Sequence, residues 1–232
     1  MSFHFKQFSI SQNQTAMKVG TDGVLLGAWA HAGGSTALDI GTGTGLLALM
    51  LAQRNPDLMI DAIEVDQSAA EEAQINFESS PWSNRLKVFQ TSIQEYTPEA
   101  TYDVIICNPP YFINSTKAPE SSRKTARHND SLTHPELCAA VQRLLSENGS
   151  FQVILPVEEA RQFIPEAGKH FLHLNRRCIV TPKPGSTPKR WLLEFSFRKS
   201  QLSEESITIE TEKRHEYSKD YLTLTKDFYL KF

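Results

Sequence analysis

The segment LDIGTGTGLLALMLAQR at 38–54 constrains the fold more than any other: an apolar run, a turn with glycine at alternate positions, then a continuous apolar helical stretch. Gly41, Gly43 and Gly45 allow positive φ and let a ligand lie against bare backbone. A strand that feeds a helix through such a turn is the opening unit of a parallel α/β sheet. The dinucleotide fingerprint would set its third glycine at 46, where Leu46 stands. A P-loop is excluded because no Gly-Lys-Ser/Thr follows the turn.

From Thr36 onward the chain alternates strand-like and helix-like stretches. Strands are expected at 36–40, 58–65, 86–89, 102–107 and 150–155, and later at 171–180 and 191–197. Helices are expected at 45–54, 68–79 and 135–146, and residues 19–29 have an amphipathic look. The fold class is therefore α/β. No repeat or linker interrupts it, so one domain is expected over 1–232, with an N-terminal extension 1–35, a core 36–155 and a C-terminal part 156–232.

Asp39 stands two residues ahead of the glycine turn, and Glu64 ends the next strand 23 residues after Gly41. A carboxylate at that distance can accept from both hydroxyls of a ribose. Without a pyrophosphate cradle, the combination suits S-adenosylmethionine.

The sharpest signal is Asn108-Pro109-Pro110-Tyr111, directly after the apolar strand YDVIIC. An exocyclic amine on a base is a poor nucleophile because its lone pair is delocalised into the ring. Two fixed carbonyl acceptors, the Asn108 side chain and the Pro109 backbone, can draw that nitrogen toward tetrahedral geometry. The prolines lock two φ angles near −65°, so the acceptors are pre-organised. Tyr111, extended by Phe112, offers a face on which the base can stack.

The net charge of −3 hides a segregation. Residues 176–199 hold Arg176, Arg177, Lys183, Lys189, Arg190, Arg198 and Lys199 against Glu194 alone, and residues 117–127 hold Lys117, Arg123, Lys124 and Arg127 against Glu120. These stretches carry +6 and +3, leaving −12 for the rest, a pattern that suits a polyanionic partner. Arg190 is expected on a phosphate and Trp191 in the core. Cys107, Cys138 and Cys178 are widely spaced, as reduced thiols in a cytoplasmic protein would be. The seven histidines show no metal-ligand spacing, and no apolar run reaches membrane-spanning length, so neither a metal nor a membrane is expected.

LDIGTGTG, AIEVD and DVIICNPPY resemble the amino-group methyltransferases with a Rossmann-like class I fold, a mostly parallel seven-stranded sheet with helices on both faces. More narrowly, MKVGTDGVLLGAW, ARHNDSLTHPEL and YSKDYLTLTKDFYL resemble the bacterial tRNA1(Val) (adenine-37-N6)-methyltransferases, over nearly the whole chain. The resemblance implies methylation of an adenosine N6 amine in the anticodon stem-loop of a tRNA; a monomer is expected. It implies Asp39, Gly41, Thr42, Gly43, Gly45, Glu64, Val65, Ser92, Ile93 and Asn108 around the cofactor, with Thr21 and Asp22 at its methionine end. Ser92 departs from the aspartate that related enzymes often place against the cofactor adenine. A glutamine amide in a protein could use the same tetrapeptide, as could a guanine of ribosomal RNA. Only 38 residues precede Asp39, fewer than the helical substrate module of amide-methylating enzymes would occupy. A module that binds cofactor and RNA without reacting would have no use for two carbonyls aimed at one amine.

Overall fold

The computed structural model describes residues 2–13, 18–109 and 132–231. A hairpin of β1 (Ser2–His4) and β2 (Ser9–Ser11) leads into α1 (Thr21–Trp29). There follow β3 (Thr36–Ile40), α2 (Leu46–Arg54), β4 (Met59–Glu64), α3 (Gln67–Glu78), β5 (Leu86–Gln90) and β6 (Tyr102–Cys107). After residue 132 come α4 (His134–Leu144), β7 (Leu145–Pro156), α5 (Val157–Lys169), β8 (His173–Thr181), β9 (Arg190–Ser196), β10 (Ser203–Thr208) and α6 (Lys219–Thr225).

The main sheet runs β10-β8-β9-β7-β6-β3-β4-β5, and every pair is parallel except those that β9 makes with β7 and β8. Chain order reverses beside β3: β4 and β5 lie on one side of it and β6 on the other. A ligand crevice opens at the carboxyl ends of the strands at such a switch point. Ile40 pairs with Cys107, so the turn after β3 and Asn108 after β6 emerge side by side.

Burial on the central strands is nearly continuous, and successive residues enter opposite cores with the pleat, as in a sheet covered on both faces. Ala37, Ile60, Ala62, Val104 and Ile106 join one core with α1, α2, α3 and α6. Leu38, Ile40, Ile63, Ile105 and Cys107 join the other with α4 and α5.

The expected strands and helices from 36 to 155 are present within a few residues at each end, save that β7 begins at Leu145 directly after α4. Three departures have physical reasons. The sheet carries a strand beyond the expected seven: SEESIT looks like polar loop, but as β10 it pairs Glu204 with Arg177 in register. Residues 157–169 form α5 although Pro165 lies inside, where a proline removes one helical donor and hides the pattern. Helix α1 is buried all round from Gly23 to Trp29 rather than amphipathic, because it lies between α2 and α6. Among the described residues no helix is long and apolar enough to cross a membrane.

Candidate active site

The glycine turn is built by hydrogen bonds to its neighbours. Gly41 and Thr42 donate their amides to Ile63 O at the end of β4 (2.9 and 3.0 Å). Gly43 donates to Glu64 Oε2 (2.9 Å), and Glu64 Oε1 receives the amides of Val65 and Asp66 (2.8 and 3.0 Å). Gly41, Gly43 and Gly45 have φ of 67, 56 and 87°, a region costly for side-chain-bearing residues. A Cβ on Gly41 or Gly43 would project into open space, as expected where a ligand lies. One on Gly45 would stand 2.5 Å from the Phe77 ring, so Gly45 serves the seating of α2 on α3.

Asp39 lies fully buried behind this turn. Thr42 Oγ1 donates to its Oδ2 at 2.6 Å and the Ala48 amide at 3.2 Å. Burial pushes its pKa from 3.8 to about 7; the two bonds oppose that rise and the Glu64 charge adds to it. Among the described residues Asp39 Oδ1 has no hydrogen-bond partner.

In front of the turn is a cavity of about 420 Å³. It is lined by Lys18, Val19, Gly20, Thr21, Asp22 and Gly23 on one side, by Gly41, Thr42, Gly43, Thr44, Leu46 and Leu47 on another, and by Asn108 and Pro109. The structure thus brings together, from distant parts of the chain, seven of the expected residues: Thr21, Asp22, Gly41, Thr42, Gly43, Asn108 and Pro109. A Cβ on Gly23 would meet Leu46 Cδ2 at 2.8 Å and Asn108 Nδ2 at 3.8 Å, so a side chain here would have to displace the leucine methyl.

The other expected cofactor residues stand off this cavity. Asp39 and Gly45 shape the turn from behind. Glu64 ends β4 beside it, and Val65 is 46% exposed. Ser92 Oγ receives the Glu95 amide (3.3 Å), and Ile93 is packed in the core of the α4 face. Pro110, Tyr111, Phe112, Lys117, Arg123, Lys124 and Arg127 lie outside the described residues.

The basic zone is altered by the fold. Arg176 pairs with Glu205 (2.8 Å) and lies over Trp29, its guanidinium carbon 4.1 Å from the ring centroid. Arg177 pairs with Glu204 and lies over Trp191 at 4.4 Å. Arg190, expected on a phosphate, donates Nε to Asp22 Oδ2 at 2.9 Å. A charge count along 176–199 overlooks these carboxylates, because β10 and α1 bring them from elsewhere. Lys183 and Lys189 remain exposed on the loop before β9. Trp191 is half-buried against the core, as expected.

Sequence reasoning also missed the residues that hold the N-terminal wall. Asn76, 3% exposed on α3, donates to Ser11 O (3.0 Å) and Thr44 O (2.9 Å) and accepts from Ser11 N (2.7 Å). Gln12 Oε1 receives the Val19 amide (2.8 Å). Polar residues in a short hairpin and mid-helix carry no local sign of such roles.

The donor set fits a cation with a nucleoside part. The Asp22 carboxylate lines the cavity, Glu64 stands beside its glycine turn and Asp39 behind it, and bare backbone is exposed at Gly41 and Gly43. S-adenosylmethionine, with its sulfonium and ammonium groups, has that character.

Residues 14–164 match the model of the methyltransferase small domain. The tRNA1(Val) (adenine(37)-N6)-methyltransferase of Bacteroides fragilis is 47% identical over 99% of this chain and 98% of its own length. That of Flavobacterium psychrophilum is 47% identical over 99% of each. Among solved structures, a predicted O-methyltransferase from Agrobacterium tumefaciens superposes with a TM-score of 0.70 at 16% identity, covering 89% of this chain and 96% of that one. The glycopeptide N-methyltransferase MtfA complexed with sinefungin gives 0.58 at 12% identity, covering 81% and 90%. These last two likenesses establish the fold.

Proposed function

The chain belongs to the tRNA1(Val) (adenine(37)-N6)-methyltransferase family, and on that premise we propose how its residues carry out the reaction. The enzyme transfers a methyl group from S-adenosylmethionine to the N6 amine of adenine 37 in tRNA1(Val). The placement of Asn108 carries the reading: it stands at the carboxyl end of β6, against the glycine turn and on the same cavity.

When bound, the cofactor supplies an electrophilic methyl on a positively charged sulfur. The chain's own work is to bind and orient. The glycine turn admits the cofactor to bare backbone, Glu64 is set to take the ribose hydroxyls, Asp22 offers negative charge to the cationic end, and Asp39 holds the turn in shape from behind. Thr42 lines the same pocket and Gly45 shapes the turn behind it, while Val65, Ser92 and Ile93 stand off it.

Asn108 Oδ1 and Pro109 O accept the two amine hydrogens, leaving the nitrogen lone pair directed along the line of transfer. Pro110 keeps the second acceptor rigid, and Tyr111 and Phe112 hold the base by stacking. No general base is required, since the surplus proton leaves the product nitrogen to water. The acceleration comes from positioning and from acceptors fixed in advance.

The partner is the anticodon stem-loop, where base 37 is unpaired and turning it into the pocket costs less than a few kcal/mol. Lys117, Arg123, Lys124, Arg127 and Lys189 supply phosphate contacts, while Arg176 and Arg177 are held by Glu205 and Glu204. The chain works as a cytoplasmic monomer, one domain over 1–232 with its extension at 1–35 and its RNA-facing part at 156–232.

The test is incubation with S-adenosylmethionine and tRNA lacking the modification, followed by nucleoside mass spectrometry and mapping of the modified fragment. New N6-methyladenosine at position 37, lost in Asn108→Ala, is the expected result. Methylation of another atom, or undiminished activity in Asn108→Ala, overturns the assignment.

A further inference from the structure

Arg190 opens β9 at the end of the sheet where the cavity lies, and its guanidinium reaches back to α1 rather than out to solvent. The Asp22 carboxylate it meets is on the cavity wall. Only about a quarter of either side chain is exposed, 27% for Arg190 and 24% for Asp22, so water screens the pair incompletely.

Among the described residues, few other side chains hydrogen-bond to the wall from Lys18 to Gly23. Gly20, at the start of α1, is extended (φ −129°, ψ 163°), and no side chain caps the helix. Gln12 Oε1 fixes one end through the Val19 amide. The ion pair fixes the other, beside Gly23, which rests on Leu46 and faces Asn108. A cation beside a helix N-terminus gains nothing from the helix dipole, so the arginine is there for the carboxylate.

We propose that Arg190 is a positioning residue for cofactor binding and not a phosphate contact: by pinning Asp22 it fixes the first turn of α1 as the cavity wall. The inference rests on the reading of this cavity as the S-adenosylmethionine site. Without the pin, Asp22 keeps its charge but loses its fixed place, and Gly23 loses its register against Asn108.

Three measurements on Arg190→Gln and Arg190→Lys test this. They are the affinity for S-adenosylhomocysteine by calorimetry without tRNA, amide hydrogen exchange over residues 20–24, and the salt dependence of tRNA binding. Arg190→Gln should weaken S-adenosylhomocysteine binding on the order of tenfold, within the range of couplings between contacting residues. It should speed exchange at 20–24 and leave the salt slope unchanged, and Arg190→Lys should recover part of the affinity. Unchanged affinity and exchange, with a salt slope smaller by about one, would make Arg190 a phosphate contact and overturn the proposal. Failure of the parent protein to bind S-adenosylhomocysteine would sink the cofactor reading as well. Normal binding by both the parent and Arg190→Gln would sink this inference alone.

Discussion

Asp39 and Thr42 form a buried latch: the Thr42 hydroxyl donates to Asp39 Oδ2 at 2.6 Å, and the same oxygen takes the Ala48 amide at 3.2 Å. One carboxyl group thereby ties the glycine turn to the first turn of α2. Burial raises its pKa from 3.8 to about 7, so the native state holds a proton that the unfolded chain releases near 3.8. The stability this proton contributes is complete below pH 3.8 and is lost as pH rises through about 7. Asp39→Asn keeps an acceptor oxygen without the charge. In urea titrations its stability relative to the parent should improve by about 3 kcal/mol between pH 5 and pH 8.5. A pH-independent difference would show that Asp39 is ionised throughout that range.

Gly23→Ala tests how closely α1 must approach Asn108. The added methyl would lie 2.8 Å from Leu46 Cδ2, so the helix or the leucine must shift. Overpacking of this kind costs about 1–3 kcal/mol. We expect a lower melting temperature together with a fall in kcat larger than the loss of folded protein explains. A melting shift with normal kcat would mean that the wall tolerates displacement.

Exposed lysines and paired arginines should separate in salt titrations of tRNA binding. Lys183→Ala with Lys189→Ala should flatten the slope by about one for each phosphate that the variant no longer neutralises. Arg176→Ala and Arg177→Ala should leave the slope in place and lower thermal stability, because each removes a cation from a carboxylate partner and a tryptophan face. Flattening by the arginine variants would show that RNA draws them from Glu205 and Glu204.

Asn76 should prove more sensitive to charge than to truncation. Its amide nitrogen serves two backbone carbonyls, Ser11 O and Thr44 O. Asn76→Asp turns a carboxylate oxygen on both, which costs more than the apolar gap of Asn76→Ala. Denaturant unfolding should rank the parent first, then alanine, then aspartate, with cofactor affinity following. Aspartate at or above alanine would mean that these bonds contribute little.

What can be read from the sequence is what short-range pattern encodes. The glycine turn, the apolar strand before Asn108 and the helices from 45 to 146 have strong local periodicity, and their order places Gly41 and Asn108 together once the sheet is taken as parallel. What escapes depends on partners remote in sequence. Residues 203–208 form a strand on which Glu204 and Glu205 meet arginines of β8, and Arg190 meets Asp22, which is 168 residues away in sequence. Asn76 and Gln12 look like ordinary surface polar residues until the hairpin folds over α3. Helix α1 looks amphipathic because local polarity cannot register a helix covered on every side.

The two cores on opposite faces of the sheet give this protein separable regions for engineering. Helices α1 and α2, which line the cavity, and α3, which anchors its wall, share one face; Leu137, Val141, Phe163 and Phe195 belong to the other. Repacking those four positions for heat tolerance, with Ile40, Ile93 and Cys107 of the same core kept, would leave the residues that line the cavity in place. A robust catalyst for labelling RNA is therefore better sought behind the sheet than in front of it.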